Sequence, residues 1–531
     1  MRKLSLSILL FFMCATIWAQ ENLPTDYLPA SFHAGRREAL RQLMPFNSVA
    51  VIFSFPERLF ANDVNYRFHQ NPDMFYLSGY KETEGVLIIF KEPQQRGDTT
   101  YNELMFVRKR NPLHEQWTGR RLGVEGVKSK LGFAQVYNAE EFKNFPVDFT
   151  AFSQVLYDNV SDNESGNMAE LIKIFREKAG VKAVYDKEVE GDLWRLANNT
   201  TAANLANRVK AIKTKMAETS NANYKANPLL LQLVANPDTI TLASVASNVK
   251  SNPSGPSLYN KLAGTLREIK TPEELVILKK SVRLSAMAHT EVMRAVQPGM
   301  SETELEGIHL YMHKKYGAEE EGYPPIVGSG ANGCILHYIE NNSTNISNQL
   351  LLMDVGSEYH NYSADITRTI PSNGKFTPEQ KAIYQIVYDA QDSVFQLCKS
   401  GVPFGALNQK AIEVIAAGLI KLGIIKDKKE VGSYYPHGCS HHIGLDVHDK
   451  NSSRVLQQNM VITVEPGIYI PKGSKCDPKW WDIAVRIEDD VVIGKDSCEN
   501  LSWEAPRKIE DVEKTIAEKS VLSNFIVPVL K

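Results

Sequence analysis

Two glutamates interrupt apolar, strand-like runs in the second half of the chain, and they limit what those runs can bury. Glu465 lies within Val461-Ile462-Thr463-Val464-Glu465-Pro466-Gly467, and Glu488 within Ile483-Ala484-Val485-Arg486-Ile487-Glu488-Asp489-Asp490. Glutamate is rarely buried without a partner, so acids in such runs call for a cation, a proton or an arginine. Two aspartates precede them: Asp354 follows Leu350-Leu351-Leu352-Met353, and Asp365 stands eleven residues later. The midpoint of that interval falls at Tyr359 and His360, inside the polar stretch Ser357 to Asn361, so a hairpin there would set the two carboxylates face to face, where bare they repel. Taken singly, either aspartate reads at least as well as a turn cap. If all four acids converge, two divalent ions would cancel their charge, and one neutral imidazole would complete a pair of oxygen-rich sites.

His441 can supply that imidazole. Tyr435-Pro436-His437-Gly438-Cys439-Ser440-His441-His442-Ile443-Gly444-Leu445-Asp446-Val447-His448-Asp449 holds four histidines punctuated by proline and glycine, the composition of a site built on loops. Its His-x-x-x-His spacing is not the zinc-protease helix: Gly438 occupies the position where that motif needs glutamate, and Pro436 and Gly438 disfavour a helix. Gly328-Ser329-Gly330-Ala331-Asn332-Gly333 satisfies G-x-G-x-x-G, but Cys334 to Tyr338 reads as a strand where a dinucleotide site needs a helix. With no G-x-S-x-G elbow, a serine hydrolase lacks a candidate nucleophile.

At 531 residues and 43% hydrophobic the chain can bury two large domains. A formal charge of −2 and the lack of basic runs exclude nucleic acid as the natural partner. Met1, Arg2 and Lys3 precede an apolar stretch from Leu4 to Trp18 that ends near Ala19, the pattern of a signal peptide over 1–19. The run is short for a bilayer, so the expectation is a periplasmic or secreted protein with no membrane span after cleavage. Cys14 follows Phe12 and Met13, which are bulky for a lipoprotein signal. Five cysteines then remain, an odd set without C-x-x-C; one pair could form a disulfide, and thiolate metal binding is not supported.

Residues 27–195 alternate apolar runs (Val49 to Phe53, Gly85 to Phe90, Leu104 to Val107) with polar turns, as in an α/β domain. From Asn198 to Gly264 the chain is rich in Asn, Ala, Ser and Thr, a composition of surface helix and linker rather than core. Thr271-Pro272-Glu273-Glu274 opens a capped helix, and Ser301 with Glu304 and Thr377 with Gln380 read as two more capping boxes. Between these helices Gln349 to Val355, Asn459 to Val464 and Ile483 to Ile493 read as strands, giving helices on a mainly antiparallel sheet.

This combination resembles the pita-bread metallopeptidases, and within them the Xaa-Pro aminopeptidases (aminopeptidase P). The likeness rests on Ile326 to Tyr338, on Asp365-Ile366-Thr367-Arg368-Thr369 with Asn373 to Thr377, on the histidine loop, and on Glu465-Pro466-Gly467 and Arg486 to Asp490. Asn71 to Tyr80 and Gln116 to Gly123 extend it to the first domain. It implies an α+β chain: an N-terminal creatinase-like α/β domain (20–262, with an Asn/Ala-rich insertion or linker near 198–262), then a pita-bread catalytic domain (263–509) whose curved, mainly antiparallel sheet is covered by helices. A tail, 510–531, has no functional reading.

Carried over by position, the resemblance implies that Asp354 is a terminal ligand of one metal, that Asp365 and Glu488 bridge two, and that His441 and Glu465 complete the other. Manganese is the family's usual ion, and the expected reaction is attack of a metal-bridging hydroxide on the scissile carbonyl, with Glu465 taking the proton. His337, His437 and His448 would contact the substrate, Arg486 would support the bridging acid, and Tyr469 and Trp117 would line subsites. The implied partners are peptides with an Xaa-Pro N-terminus and further copies of the chain. Ala331 stands where relatives often have Glu, and Cys439 where Leu is common; both bear on subsite shape. Prolidase, a dipeptidase, is the nearest rival; Ser440 before His441 and Gly333-Cys334 before Ile335 favour the aminopeptidase. Loss of ligands, as in a silent peptide-binding homologue, is not seen.

Overall fold

The computed structural model describes residues 26–158, 166–180, 187–251 and 255–524. The proposed signal segment lies outside the described residues.

The first half is built on a five-stranded sheet in the order Val136–Asn138, Thr99–Val107, Val86–Arg96, Ser48–Phe53, Gln154–Tyr157. The two outer strands join in parallel and the inner three are antiparallel. All six residues of Ser48–Phe53 are buried, because the two faces feed two cores. Val49, Val51 and Phe53 point into one with Phe90, Phe106 and the helix Gly166–Ala179. Ala50 and Ile52 point into the other with the helices Ala30–Leu43 and Pro72–Ser78. The period-two geometry of a strand makes this division. Helix Pro72–Ser78 starts on an Asn71 cap and stops at Gly79, whose φ of 71° suits glycine.

The Asn/Ala-rich region is not the coreless linker its composition suggests. Helices Lys187–Asn199, Leu205–Glu218, Ala222–Ala226, Pro228–Ala235 and Thr239–Ser251 enclose a separate core containing Leu193, Leu196, Leu205, Val209, Ile212, Tyr224, Leu230, Leu233, Leu242 and Val245. Sparse apolar residues three or four apart are enough to give each short helix one buried stripe, and composition averaged over the segment conceals them.

In the second half Thr271 and Glu274 form a reciprocal capping box on the 24-residue helix Pro272–Ala295, and Thr377 with Gln380 does the same for Pro378–Phe395. At Ser301 only half of the expected box forms: its hydroxyl accepts from Glu304 N at 3.0 Å, while the Glu304 side chain is exposed. The buried acid there is Glu302, which accepts from Ser329 N (2.7 Å), Ser343 N (2.9 Å) and Tyr338 OH (2.8 Å).

The strands of this half form small, wholly antiparallel sheets. Three features differ from expectation and shape the site. First, Ile483 to Ile493 is two strands, Ile483–Arg486 and Asp489–Ile493, interrupted at Glu488, which bridges instead to Thr367. Second, Cys334 to Tyr338 is no strand: Gly330–Cys334 is a 3-10 turn, started by Gly330 at a φ of 53°. Third, the hairpin after Asp354 turns at His360 and Asn361, whose positive φ of 50° and 68° are what a tight two-residue turn needs. Tyr359 then faces Tyr362 and Asp354 faces Thr367, so Asp354 and Asp365 lie diagonally on one face rather than opposite each other. Gly356 lies where no side chain fits, since a Cβ would sit 1.8 Å from Ala364 O.

Helix Ile509–Ile516, just beyond the expected domain end, buries Ile509 and Val512 in the same core as the catalytic-half helices. No described helix is long and apolar enough to cross a membrane.

Candidate metal centre

The diagonal pair of aspartates is tied together by a residue that sequence reading passed over. Tyr323 OH lies 2.5 Å from Asp354 Oδ1 and 2.6 Å from Asp365 Oδ1. Tyr323 sits in a short loop, Gly322-Tyr323-Pro324-Pro325, with no periodic pattern to mark it. On its other oxygen Asp354 accepts from Arg486 Nη2 at 2.6 Å. Glu488, at the break between two strands, accepts from Thr367 Oγ1 at 2.6 Å, and its own N–H is held by Thr367 O at 3.0 Å. Glu465 ends the strand Val461–Val464, its N–H bonded to Cys439 O in the histidine loop. His441 is fixed in turn by Thr463, through N–H to Oγ1 at 3.1 Å and a return bond from Thr463 N at 2.9 Å.

The structure thus brings Asp354, Asp365, His441, Glu465 and Glu488 into one pocket. His441 Nε2 is 3.4 Å from Asp365 Oδ2 and 3.6 Å from Glu465 Oε1. Ligand atoms of Asp365, His441 and Glu488 all lie within 4.8 Å of one another. His441 Nδ1 is 3.1 Å from the carbonyl of His442, so a proton there leaves the Nε2 lone pair facing the carboxylates, the tautomer a metal ligand requires.

Electrostatics point the same way. Burial, joined by the charges of Asp354 and Asp490, holds the Asp365 carboxyl well above its usual range. Burial, with Asp365 and Glu465 beside it, does the same to Glu488. Glu465 is pushed up to about 7, mainly by burial. Asp354 is the exception: burial would raise it, but Arg486 and the Tyr323 hydrogen bond outweigh that and bring it below the ordinary value. Four carboxylates thus share one guanidinium and one imidazole, and a cation in their midst would relieve the repulsion. Four oxygen donors and one aromatic nitrogen fit a pair of divalent ions.

Around this centre Arg486 is the hub. It is buried and donates to Asp354, to Thr367 Oγ1 (3.1 Å) and to Tyr469 OH (2.8 Å). Tyr469 OH also lies 2.8 Å from His437 Nε2, while His437 Nδ1 is 2.8 Å from Gly438 O, so both ring nitrogens of His437 are engaged. Burial and Arg486 lower the His437 imidazole to about 4. His448 is exposed with its ring 4.4 Å from that of His441, and His337 is exposed near both His437 and His448. Trp117, by contrast, lies 88% exposed on the short helix Pro112–Thr118 and makes none of these contacts.

A pita-bread fold around such a carboxylate cluster defines a metallopeptidase. Residues 276–495 match the model of metallopeptidase family M24, and residues 33–157 match the aminopeptidase P N-terminal domain. The Xaa-Pro aminopeptidase of Escherichia coli K12 is 32% identical over 490 residues, covering 90% of this chain and 96% of that one. Two solved structures of E. coli aminopeptidase P, one with the inhibitor Pro-Leu and one zinc-substituted in complex with product, each give a TM-score of 0.71 at 29% identity, over 92% of this chain and 98% of theirs. The chain belongs to the Xaa-Pro aminopeptidases of family M24, and is a metallo-exopeptidase, a hydrolase.

Proposed function

We propose that this protein is an exported Xaa-Pro aminopeptidase that binds two divalent ions, manganese by preference, and releases the N-terminal residue of peptides with proline in second position. The observation that carries the reading is the gathering of Asp365, Glu465 and Glu488 around Nε2 of His441, with Asp354 joined to Asp365 through the Tyr323 hydroxyl. Asp354, Asp365, His441, Glu465 and Glu488 would hold the ions, which when bound supply an activated water and polarise the scissile carbonyl. Glu465, with a pKa near neutrality and its carboxylate beside His441, is placed to take and return a proton at its Oε atoms. His448, which is exposed, and His437 would hydrogen-bond the substrate carbonyl and the tetrahedral intermediate, and His337, also exposed, would lie near the peptide nitrogen. Tyr469 and Arg486 would hold His437 in place. Trp117, 88% exposed, fits a role toward a neighbouring copy in a homo-oligomer. The charged-then-apolar N-terminus supports export to the periplasm or medium.

A peptide panel tests this. Xaa-Pro-Xaa tripeptides should be cleaved with added Mn²⁺, Xaa-Ala controls left intact, and activity lost on chelation and restored by Mn²⁺. Turnover of Xaa-Pro dipeptides alone would make the enzyme a prolidase; indifference to the second residue would remove the proline assignment.

A further inference from the structure

Cys398 follows the helix Pro378–Phe395, and Cys498 opens the strand Cys498–Asn500. The Cys398 thiol donates to Val394 O at 3.3 Å and the Cys498 thiol donates to the next carbonyl, Phe395 O, at 3.8 Å, so both sulfurs are held at the C-terminal end of the same helix. The backbones beneath them are pinned: Ser400 N donates to Gly494 O (3.0 Å), Gly494 N donates to Ser497 O (2.8 Å), and Lys399 bridges Gly494. Cys398 is fully buried, whereas Cys498 is only partly so. Cys439 is also near Cys398, but it is buried. No role in the metal centre falls to Cys398 or Cys498.

We propose that Cys398 and Cys498 are a modification site, closing an intrachain disulfide when the chain meets a small disulfide oxidant such as oxidised glutathione. The partly exposed Cys498 thiolate attacks one sulfur of the oxidant, forming a mixed disulfide and releasing one thiolate. Cys398 then attacks the Cys498 sulfur, expels the second thiolate, and the two protons lost from the cysteines end on the two released thiols. The chain is oxidised by two electrons and the oxidant reduced by two. The division of labour follows from the structure: Cys498 is the sulfur that an oxidant in solution can reach, and the buried Cys398 is positioned only to resolve. The bridge would enclose about a hundred residues, including His441, Glu465 and Glu488, so it would restrain the unfolded chain strongly while leaving the site untouched.

The full chain is incubated with reduced or oxidised glutathione, denatured, alkylated and digested without reductant. Oxidation should remove two alkylatable thiols, lower the intact mass by about 2 Da before alkylation, and join the Cys398 peptide to the Cys498 peptide. In Cys398→Ser the same treatment should leave glutathione on Cys498, and in Cys498→Ser no bridge should form. Retention of both thiols, a bridge from Cys398 to Cys439, or a lasting glutathione adduct on wild-type Cys498 would each overturn the proposal. None of these readouts depends on the peptidase assay.

Discussion

Replacing Arg267 should cost substantial stability without touching any of the five residues proposed to hold the metals. Arg267 is 1% exposed and holds three acids: Asp73 of the first domain at 2.7 Å, Asp446 at 2.8 Å, and Asp449. Asp446 and Asp449 flank His448, so one guanidinium fastens the histidine loop to the N-terminal domain. Breaking a buried pair by removing one partner costs about 3–5 kcal/mol, because a charge is left stranded. Here the lower end applies, since Asp73 keeps Lys450 at 2.6 Å and Asp449 keeps Lys270 at 2.8 Å. We therefore expect Arg267→Met to lose about 3 kcal/mol. Asp446→Asn, at a side chain 42% exposed, should lose less than about 1 kcal/mol. Urea unfolding followed by fluorescence and circular dichroism, with coincident transitions checked first, measures both. If Arg267→Met stays within about 1 kcal/mol of wild type, or Asp446→Asn costs as much as Arg267→Met, the latch reasoning fails.

Tyr323→Phe should fold normally yet bind Mn²⁺ about 10–100-fold more weakly, since the hydroxyl joining Asp354 and Asp365 is lost; titration of the apoenzyme by calorimetry reads this directly. Acid should weaken the fold through His33, which burial lowers from 6.5 to about 4. Its folded pKa lies below its unfolded one, so the unfolded chain binds more protons in that window, and stability is complete above 6.5 and falls as pH drops toward 4. Between pH 7 and 5 this amounts to roughly 2 kcal/mol, and His33→Asn, whose amide nitrogen takes the place of Nδ1 and can still donate to Tyr76 O, should flatten the wild-type slope by that amount in urea titrations.

Much of the site is legible along the chain because acids in apolar runs and histidines among prolines and glycines are locally costly, and each cost shows in the sequence. The helix starts at Thr271 and Thr377 are legible for the same reason, since a cap and its return partner are three residues apart. The strand Ser48–Phe53 is legible as apolar, but not its division between two cores, which depends on what packs on each face.

What the chain order determined by itself was the set of candidate donors: four carboxylates and an imidazole. What only the tertiary structure decided was their register and their support. A turn at His360 and Asn361, one residue later than the midpoint of the two aspartates, moves Asp365 from opposite Asp354 to its diagonal, and the Tyr323 hydroxyl then joins the pair from 31 and 42 residues away. Arg486 and Arg267 find partners on strands and loops far from their own for the same reason. A buried charge is satisfied by whichever groups folding brings within hydrogen-bond reach, and that choice is made in space rather than along the backbone.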